Sequence, residues 1–229
     1  MEIELKYALE NAEQYAALTQ YLREQSGREA KILQQENSFF DTVEGDLRKS
    51  GLILRLRKEN NTYWLTAKGS ASQDETGQDT LTKRLEEEAQ VSSEEAQKIL
   101  RGERCLLKVF EELAWPPSGQ RQKDRLVMIA ALQKAQQKKK IVLVGSFNNI
   151  RRVFEVSIAQ NPYKIECDET HFTGNQIDYE MEIELQHSDA ALDVSSQAEQ
   201  WLTHLHIPIT SARGKASRFF ASLASNPAD

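Results

Sequence analysis

The chain opens with Glu2-Ile3-Glu4-Leu5-Lys6-Tyr7, in which charged and apolar side chains alternate without a break. Period two belongs to a β-strand with two unlike faces. The pattern returns along the chain. Arg55 and Arg57 share a face with Leu54 and Leu56 opposite, as do Arg84, Glu86 and Glu88, then Lys164, Glu166 and Asp168, and finally Glu180, Glu182 and Glu184. Any one of these strands is explained as half of an antiparallel sheet with its charges in water. Glu180, Glu182 and Glu184 alone could protect a sheet edge.

Together they ask for more. Carboxylates at i and i+2 stand about 6.5–7 Å apart on one face of a strand, and like charges at that spacing repel. Bound cations offset the repulsion. Three or four oxygens from two such strands, with water and phosphate oxygens, would complete the shell of Mg²⁺ or Mn²⁺. The Arg and Lys faces would then neutralise phosphate oxygens beyond the metal's reach. A sheet closed on itself, with charge inside and apolar residues outward beneath helices, accommodates all these faces at once.

The remaining pattern fits that architecture. Asn11 caps a helix running to about Arg23, with Tyr15, Leu18 and Leu22 on one stripe and Gly27 as its stop. Extended runs occupy 38–42, 52–58, 63–68, 80–91, 141–144, 151–159, 163–169 and 177–186. Gly145 bounds the fifth of them. A short helix over 94–100 and the break at Trp115-Pro116-Pro117-Ser118-Gly119 make residues 92–140 a helical insertion between strands. Two helices, about 190–205 and 215–224, end the sequence. The expected fold is α+β, a closed eight-stranded antiparallel β-barrel covered by helices, in a single domain over 1–229.

Charge and composition narrow the function. A formal net charge of -6 argues against a general nucleic-acid binder. A negative protein that takes up a more negative ligand needs local cations, from side chains, metal ions or both. Cys105 and Cys167 are too few and too far apart for a disulfide framework or a zinc site, and the four histidines form no His-Glu-x-x-His pattern. A metal here would take oxygen ligands. The N-terminus has no basic start or apolar core of a signal peptide, and no apolar run approaches the roughly 18 residues of a membrane span. The expectation is a cytoplasmic protein with no membrane partner; the oligomeric state is left open.

Glu2-x-Glu4-x-Lys6 resembles the signature of the CYTH domain, the triphosphate tunnel metalloenzyme superfamily of inorganic triphosphatases, thiamine triphosphatases and class IV adenylate cyclases. Leu54-Arg55-Leu56-Arg57, Leu65-Thr66-Ala67-Lys68, Arg84 to Glu88, Ile150-Arg151-Arg152, the region of Asp168, Glu180 to Leu185 and Lys215 follow in the family's order. Gly214 stands where members often carry Ser. The resemblance implies an eight-stranded tunnel acting on a small-molecule triphosphate with Mg²⁺ or Mn²⁺. It implies metal ligation by Glu2, Glu4, Asp168, Glu182 and Glu184. Phosphate would be gripped by Lys6, Arg55, Arg57, Lys68, Arg84, Arg151 and Lys215. Only one of Arg151 and Arg152 can face inward, and Arg151 is preferred. Glu86 and Glu88 could be metal-linked or could orient the basic residues. Lys6 or Lys68 could act as a base only where cationic surroundings depress its pKa. The expected activity is metal-dependent hydrolysis of inorganic tripolyphosphate or an organic triphosphate such as thiamine triphosphate. The alternatives are a class IV cyclase making cyclic AMP from ATP and a non-catalytic triphosphate- or polyphosphate-binding module.

Other signals have plainer readings. Lys138-Lys139-Lys140 reads as a solvated helix end. Arg213-Gly214-Lys215 has no glycine-rich run before it and is not a P-loop. His204 and His206 read as surface residues. Trp64 shares parity with Lys68 and could stack on a ring of the substrate, or pack outward if its strand bulges.

Overall fold

The structure, a computed structural model, describes residues 2–73, 80–113, 120–187 and 190–225, with backbone alone at 70–73, 83–84, 120–121 and 225. The break at 115–119 and the end of the polar loop at 74–79 lie outside the described residues. In chain order the elements are β1 (Glu2–Leu9), α1 (Ala12–Ser26), β2 (Lys31–Thr42), α2 (Asp46–Lys49), β3 (Ile53–Glu59), β4 (Thr62–Gln73) and β5 (Leu81–Val91). There follow α3 (Ser93–Leu100), α4 (Leu106–Glu112), α5 (Gln120–Gln136), β6 (Ile141–Ile158), β7 (Asn161–His171), β8 (Ile177–Glu184), α6 (Ala191–His204) and α7 (Lys215–Ser225). The fold is α+β, and the strand pairing is antiparallel.

The chain divides into two compact units, one of Gln35–Ala71 and Arg84–Ser146, the other of Glu2–Gln34, Ser72–Lys83 and Phe147–Asp229. In the first, β2 pairs with β3 and β3 with β4. The turn between β3 and β4 is Asn60-Asn61, with Asn60 at a φ of 51°, a conformation asparagine tolerates better than most residues. Leu54, Leu56, Leu65 and Ala67 point to one side, where Ile99, Leu106, Phe110, Met128 and Leu132 of the helical insertion bury them. Ser92 caps α3 by accepting from Glu95 N at 3.1 Å.

In the second unit β1 pairs with β8, β8 with β7 and β7 with β6. Leu5, Tyr7, Ile165, Cys167, Met181 and Ile183 form the apolar side, covered by Tyr15, Leu18 and Leu22 of α1 and by Val194, Ala198, Trp201 and Leu202 of α6. Asn11 caps α1 through a 2.9 Å bond accepted from Gln14 N, and Gly27 closes it at a φ of 64° with its N–H on Arg23 O. The alternation read from the sequence therefore sorts side chains as expected: apolar beneath helices, charged on the other face.

One boundary differs from the sequence reading. Gly145 does not end a strand, because it keeps a non-positive φ inside an unbroken β6 of 18 residues. Lys138–Lys140 directly follow the end of α5 at Gln136, with Lys138 and Lys140 exposed as expected, while Lys139 Nζ reaches Asp46 Oδ2 at 2.8 Å.

Candidate metal and phosphate site

β6, β7, β8 and β1 place their charged residues in cross-strand rows. Arg151 stands opposite Asp168, Asp168 opposite Glu180, Glu166 opposite Glu182, and Glu182 opposite Lys6. Asp168 is fully buried, Glu180 is 1% exposed and Glu182 5% exposed, a burial that acidic groups tolerate only when compensated. One oxygen from each of these three lies within 4.8 Å of the others.

Cations compensate them. Arg151 grips Asp168 with Nε on Oδ1 at 2.8 Å and Nη2 on Oδ2 at 2.6 Å, and the same Nη2 reaches Glu182 Oε2 at 2.7 Å. It also pairs with Glu166. Lys215, from the start of α7, lies 2.7 Å from Asp168 Oδ2 and 3.1 Å from Glu182 Oε1, and it contacts Glu180. Lys6 links Glu4, at 2.9 Å, to Glu182. Arg218 joins Glu180 to Asp178. Asn149 donates to Asp168 Oδ1 at 2.9 Å and accepts from Thr170 Oγ1 at 2.8 Å, which fixes its amide.

The formal charges do not balance. Six carboxylates (Glu4, Glu166, Asp168, Asp178, Glu180, Glu182) face four cations (Lys6, Arg151, Lys215, Arg218), an excess of two negative charges among these groups. Burial alone would push the Asp168 carboxyl up, but Arg151 and Lys215 outweigh it and hold it well below the ordinary carboxylate range. Burial raises Glu166, with Glu182 and Asp168 adding to the rise and Arg151 opposing it. Burial disfavours the Arg151 charge, yet Asp168 and Glu166 carry its pKa well above the usual value.

The donor set suits a hard divalent cation. All three closest ligand atoms are carboxylate oxygens, the donors that Mg²⁺ and Mn²⁺ prefer. The two-charge excess points the same way.

The other residues proposed from the sequence fall as follows. Glu4 is buried beside Lys6, Glu2 is half-buried, and Glu184 is exposed opposite Glu4. Arg152 turns to the opposite side from Arg151, where its Nη1 donates to Tyr15 Oη at 2.6 Å. Glu180 shares its face with Glu182, a spacing visible in the sequence, although no ligand role was assigned to it there. Arg218 lies one helical turn beyond Lys215, and nothing in the strand pattern signals it. Gly214, before Lys215, leaves open space where a side chain would go, so a serine there would meet no neighbour.

The first unit carries a second charged cluster. Arg57 donates to Glu88 Oε2 at 2.9 Å, and Thr66 Oγ1 donates to the same oxygen at 2.9 Å. Lys68 Nζ lies 2.7 Å from Glu86 Oε2, and Arg55 stands 4.0 Å from Glu86 and 3.7 Å from Glu88. Glu86 and Glu88 thus hold the basic residues in place. Trp64 stands opposite Arg57 in the ladder, half-buried, on the same face as Lys68. The side chain of Arg84 lies outside the described residues.

The sequence matches the CYTH domain over residues 1–219. The chain belongs to the CYTH family. Its fold is shared with the Hippeastrum protein HpAC1, an adenylyl cyclase candidate described as having a dominant triphosphatase activity. The two are 23% identical with a TM-score of 0.74, over 97% of this chain and 96% of that one. An adenylate cyclase candidate from Bacillus halodurans is 23% identical with a TM-score of 0.62, over 96% and 97% of the two chains. A Pyrococcus horikoshii protein is 17% identical with a TM-score of 0.57, over 97% and 99%. No curated protein matches. Among the described residues no helix of this CYTH domain is long and apolar enough to cross a membrane.

Proposed function

We propose that this CYTH domain is a divalent-metal-dependent hydrolase that cleaves a phosphoanhydride bond of a small-molecule triphosphate. The buried cluster of Asp168, Glu180 and Glu182 carries the reading. We further propose that the chain forms one domain and that its sheet closes into the eight-stranded tunnel of the family. The antiparallel pairing of β1, the first strand, with β8, the last, supports this. A cytoplasmic setting agrees with two free cysteines.

Asp168, Glu180 and Glu182 would hold the cation, with Glu2, Glu4 and Glu184 as further oxygen ligands on β1 and β8. A bound Mg²⁺ or Mn²⁺ would neutralise charge on the phosphate oxygens and, as one of a pair, lower the pKa of the attacking water. Arg151 keeps Asp168 ionised and fixes its two oxygens. Once a cation takes over the carboxylates, Lys6 and Lys215 are released from the role of counter-ion and can turn to phosphate. Arg55, Arg57, Lys68, Arg84 and Arg151 would supply the remaining positive charge along the phosphate chain. Lys6 and Lys68 lie beside carboxylates that favour their ammonium forms, so either could accept a proton only once a bound cation has taken those carboxylates over. Hydrolysis is preferred to cyclisation because it asks only for water beside the phosphates, and HpAC1 shows that a protein of this fold can favour that reaction.

The test is product analysis with tripolyphosphate, thiamine triphosphate and ATP, each with Mg²⁺, with Mn²⁺ and with EDTA. Orthophosphate release that needs the metal supports the hydrolase. Cyclic AMP with pyrophosphate from ATP would replace it with the cyclase reading. Metal-dependent binding without product would make the domain a binding module.

A further inference from the structure

Arg152 carries its charge on the apolar face of β6. Its ladder neighbour is the buried Cys167, and Phe154 and Val156 continue the same face. The Arg152 side chain keeps 32% of its surface in water. Arg151, one residue earlier and on the opposite face, has three carboxylates against it. Arg152 has a neutral phenol as its hydrogen-bond partner: its Nη1 donates to Tyr15 Oη at 2.6 Å and its guanidinium lies 5.4 Å from the centre of that ring. Burial holds the phenol protonated. The Glu169 carboxylate forms a looser ion pair with Arg152, at 3.9 Å and without a hydrogen bond.

A cavity of about 310 Å³ opens beside this guanidinium, between α1 and the strands β2 and β6. Arg23, in the last turn of α1, contributes a second guanidinium, half exposed and 3.6 Å from the exposed Glu29. Ala16, Ala30, Phe154 and Ile32, the last with 55% of its surface in water, form an apolar side, and Thr19, Gln20 and Glu29 complete the lining. The volume is at the lower end of the range for small-molecule clefts, about 300–1,000 Å³. It suits a single ring or short chain and not a nucleotide.

We propose that this cavity binds a small amphipathic anion, its carboxylate or phosphate group held by Arg152 and Arg23 and its apolar body covering Ile32 and Phe154. The anion gives Arg152 the direct charge-assisted hydrogen bond that its 3.9 Å pair with Glu169 does not make, and it displaces the exposed Glu29 from Arg23. The site lies on the face of β6 turned away from Asp168, so it is independent of the metal cluster and of the proposed hydrolysis.

Titrating the ¹⁵N-labelled full chain with benzoate, and separately with phenyl phosphate, tests the proposal through the amide shifts of Thr19, Gln20 and Ala30. Saturable shifts are expected with at least one probe, and the probe that binds names the carboxylate or the phosphate as the group recognised. Affinity should fall about tenfold in Arg152→Gln, the loss of one charge-assisted contact. Ala16→Phe keeps every charge, sits on an exposed helix position and fills the cavity, so it should block binding even if Arg152→Gln folds poorly. No saturable shift with either probe, or equal affinity in Ala16→Phe and wild type, would overturn the site.

Discussion

Arg151 holds Asp168 through two parallel hydrogen bonds, Nε to Oδ1 at 2.8 Å and Nη2 to Oδ2 at 2.6 Å, on a carboxylate with no exposed surface. Geometry of this kind is bidentate and desolvated, unlike a surface pair. Replacing Arg151 with Met would leave Asp168 with only Lys215 and Asn149 as partners. The expected loss is about 3 kcal/mol of unfolding free energy, the lower end for a broken buried pair because those partners remain. Urea unfolding of the variant measures it, and a loss under about 1 kcal/mol would mean the pair is effectively solvated.

The same carboxylate sets an acid limb. Its folded pKa is held below the unfolded value of about 3.9, so its contribution is complete above that value and is lost as pH falls towards the folded one. Glu166 acts in the other direction: its raised pKa favours the fold below about 4.3 and that contribution fades as pH rises. Asp168→Asn removes the Asp168 contribution and also relieves part of the rise at Glu166, so the comparison is read with Glu166→Gln in both backgrounds. The protein that keeps Asp168 should be the more stable by a constant margin from pH 7 to about 5. That margin should narrow by about 1.4 kcal/mol per pH unit below about 3.9. An unchanged gap at pH 3 would contradict the assignment.

The two thiols should separate by reactivity. Cys167 is fully buried and burial pushes its pKa up, whereas Cys105 is partly exposed at the start of α4. A thiol reagent at pH 8 should label Cys105 in the native protein and reach Cys167 only on unfolding. Equal labelling rates would show that the layer between β7 and α1 opens locally.

Tyr15 joins α1 to the sheet by accepting from Arg152 and donating to Cys167 O at 3.2 Å. Tyr15→Phe keeps the ring and removes both bonds, which should cost about 1–3 kcal/mol because it strands a buried carbonyl and a charged donor. Thermal unfolding checks this, and no change in Tm would mean that water replaces the hydroxyl.

Much of this was legible because the charged and apolar faces obey a strict period of two. Glu2 to Tyr7 and Glu180 to Leu185 could be assigned to faces by counting, and α1 by its Asn11 cap, its stripe and Gly27. What escaped lacked a local signal. The turn between β6 and β7 is Ala159-Gln160, both at positive φ, where an Asn-Gly pair would have announced it. Gly145 reads as a strand end but stays extended, because pairing along β6 overrides its weak propensity. Arg218 joins the acidic cluster only because α7 brings it beside Glu180, a long-range contact no window of sequence contains. The choice between Arg151 and Arg152 needed only the register with Asp168.

The most direct test of the metal claim is a calorimetric titration of Mn²⁺ into wild type and Glu180→Gln at pH 7.5, with Leu192→Ala, an exposed change on α6, as the control. Saturable binding in wild type and in the control, weakened at least about tenfold in Glu180→Gln, is the predicted result. Equal Mn²⁺ affinity in all three proteins would place any metal elsewhere and leave Asp168, Glu180 and Glu182 a structural salt-bridge network.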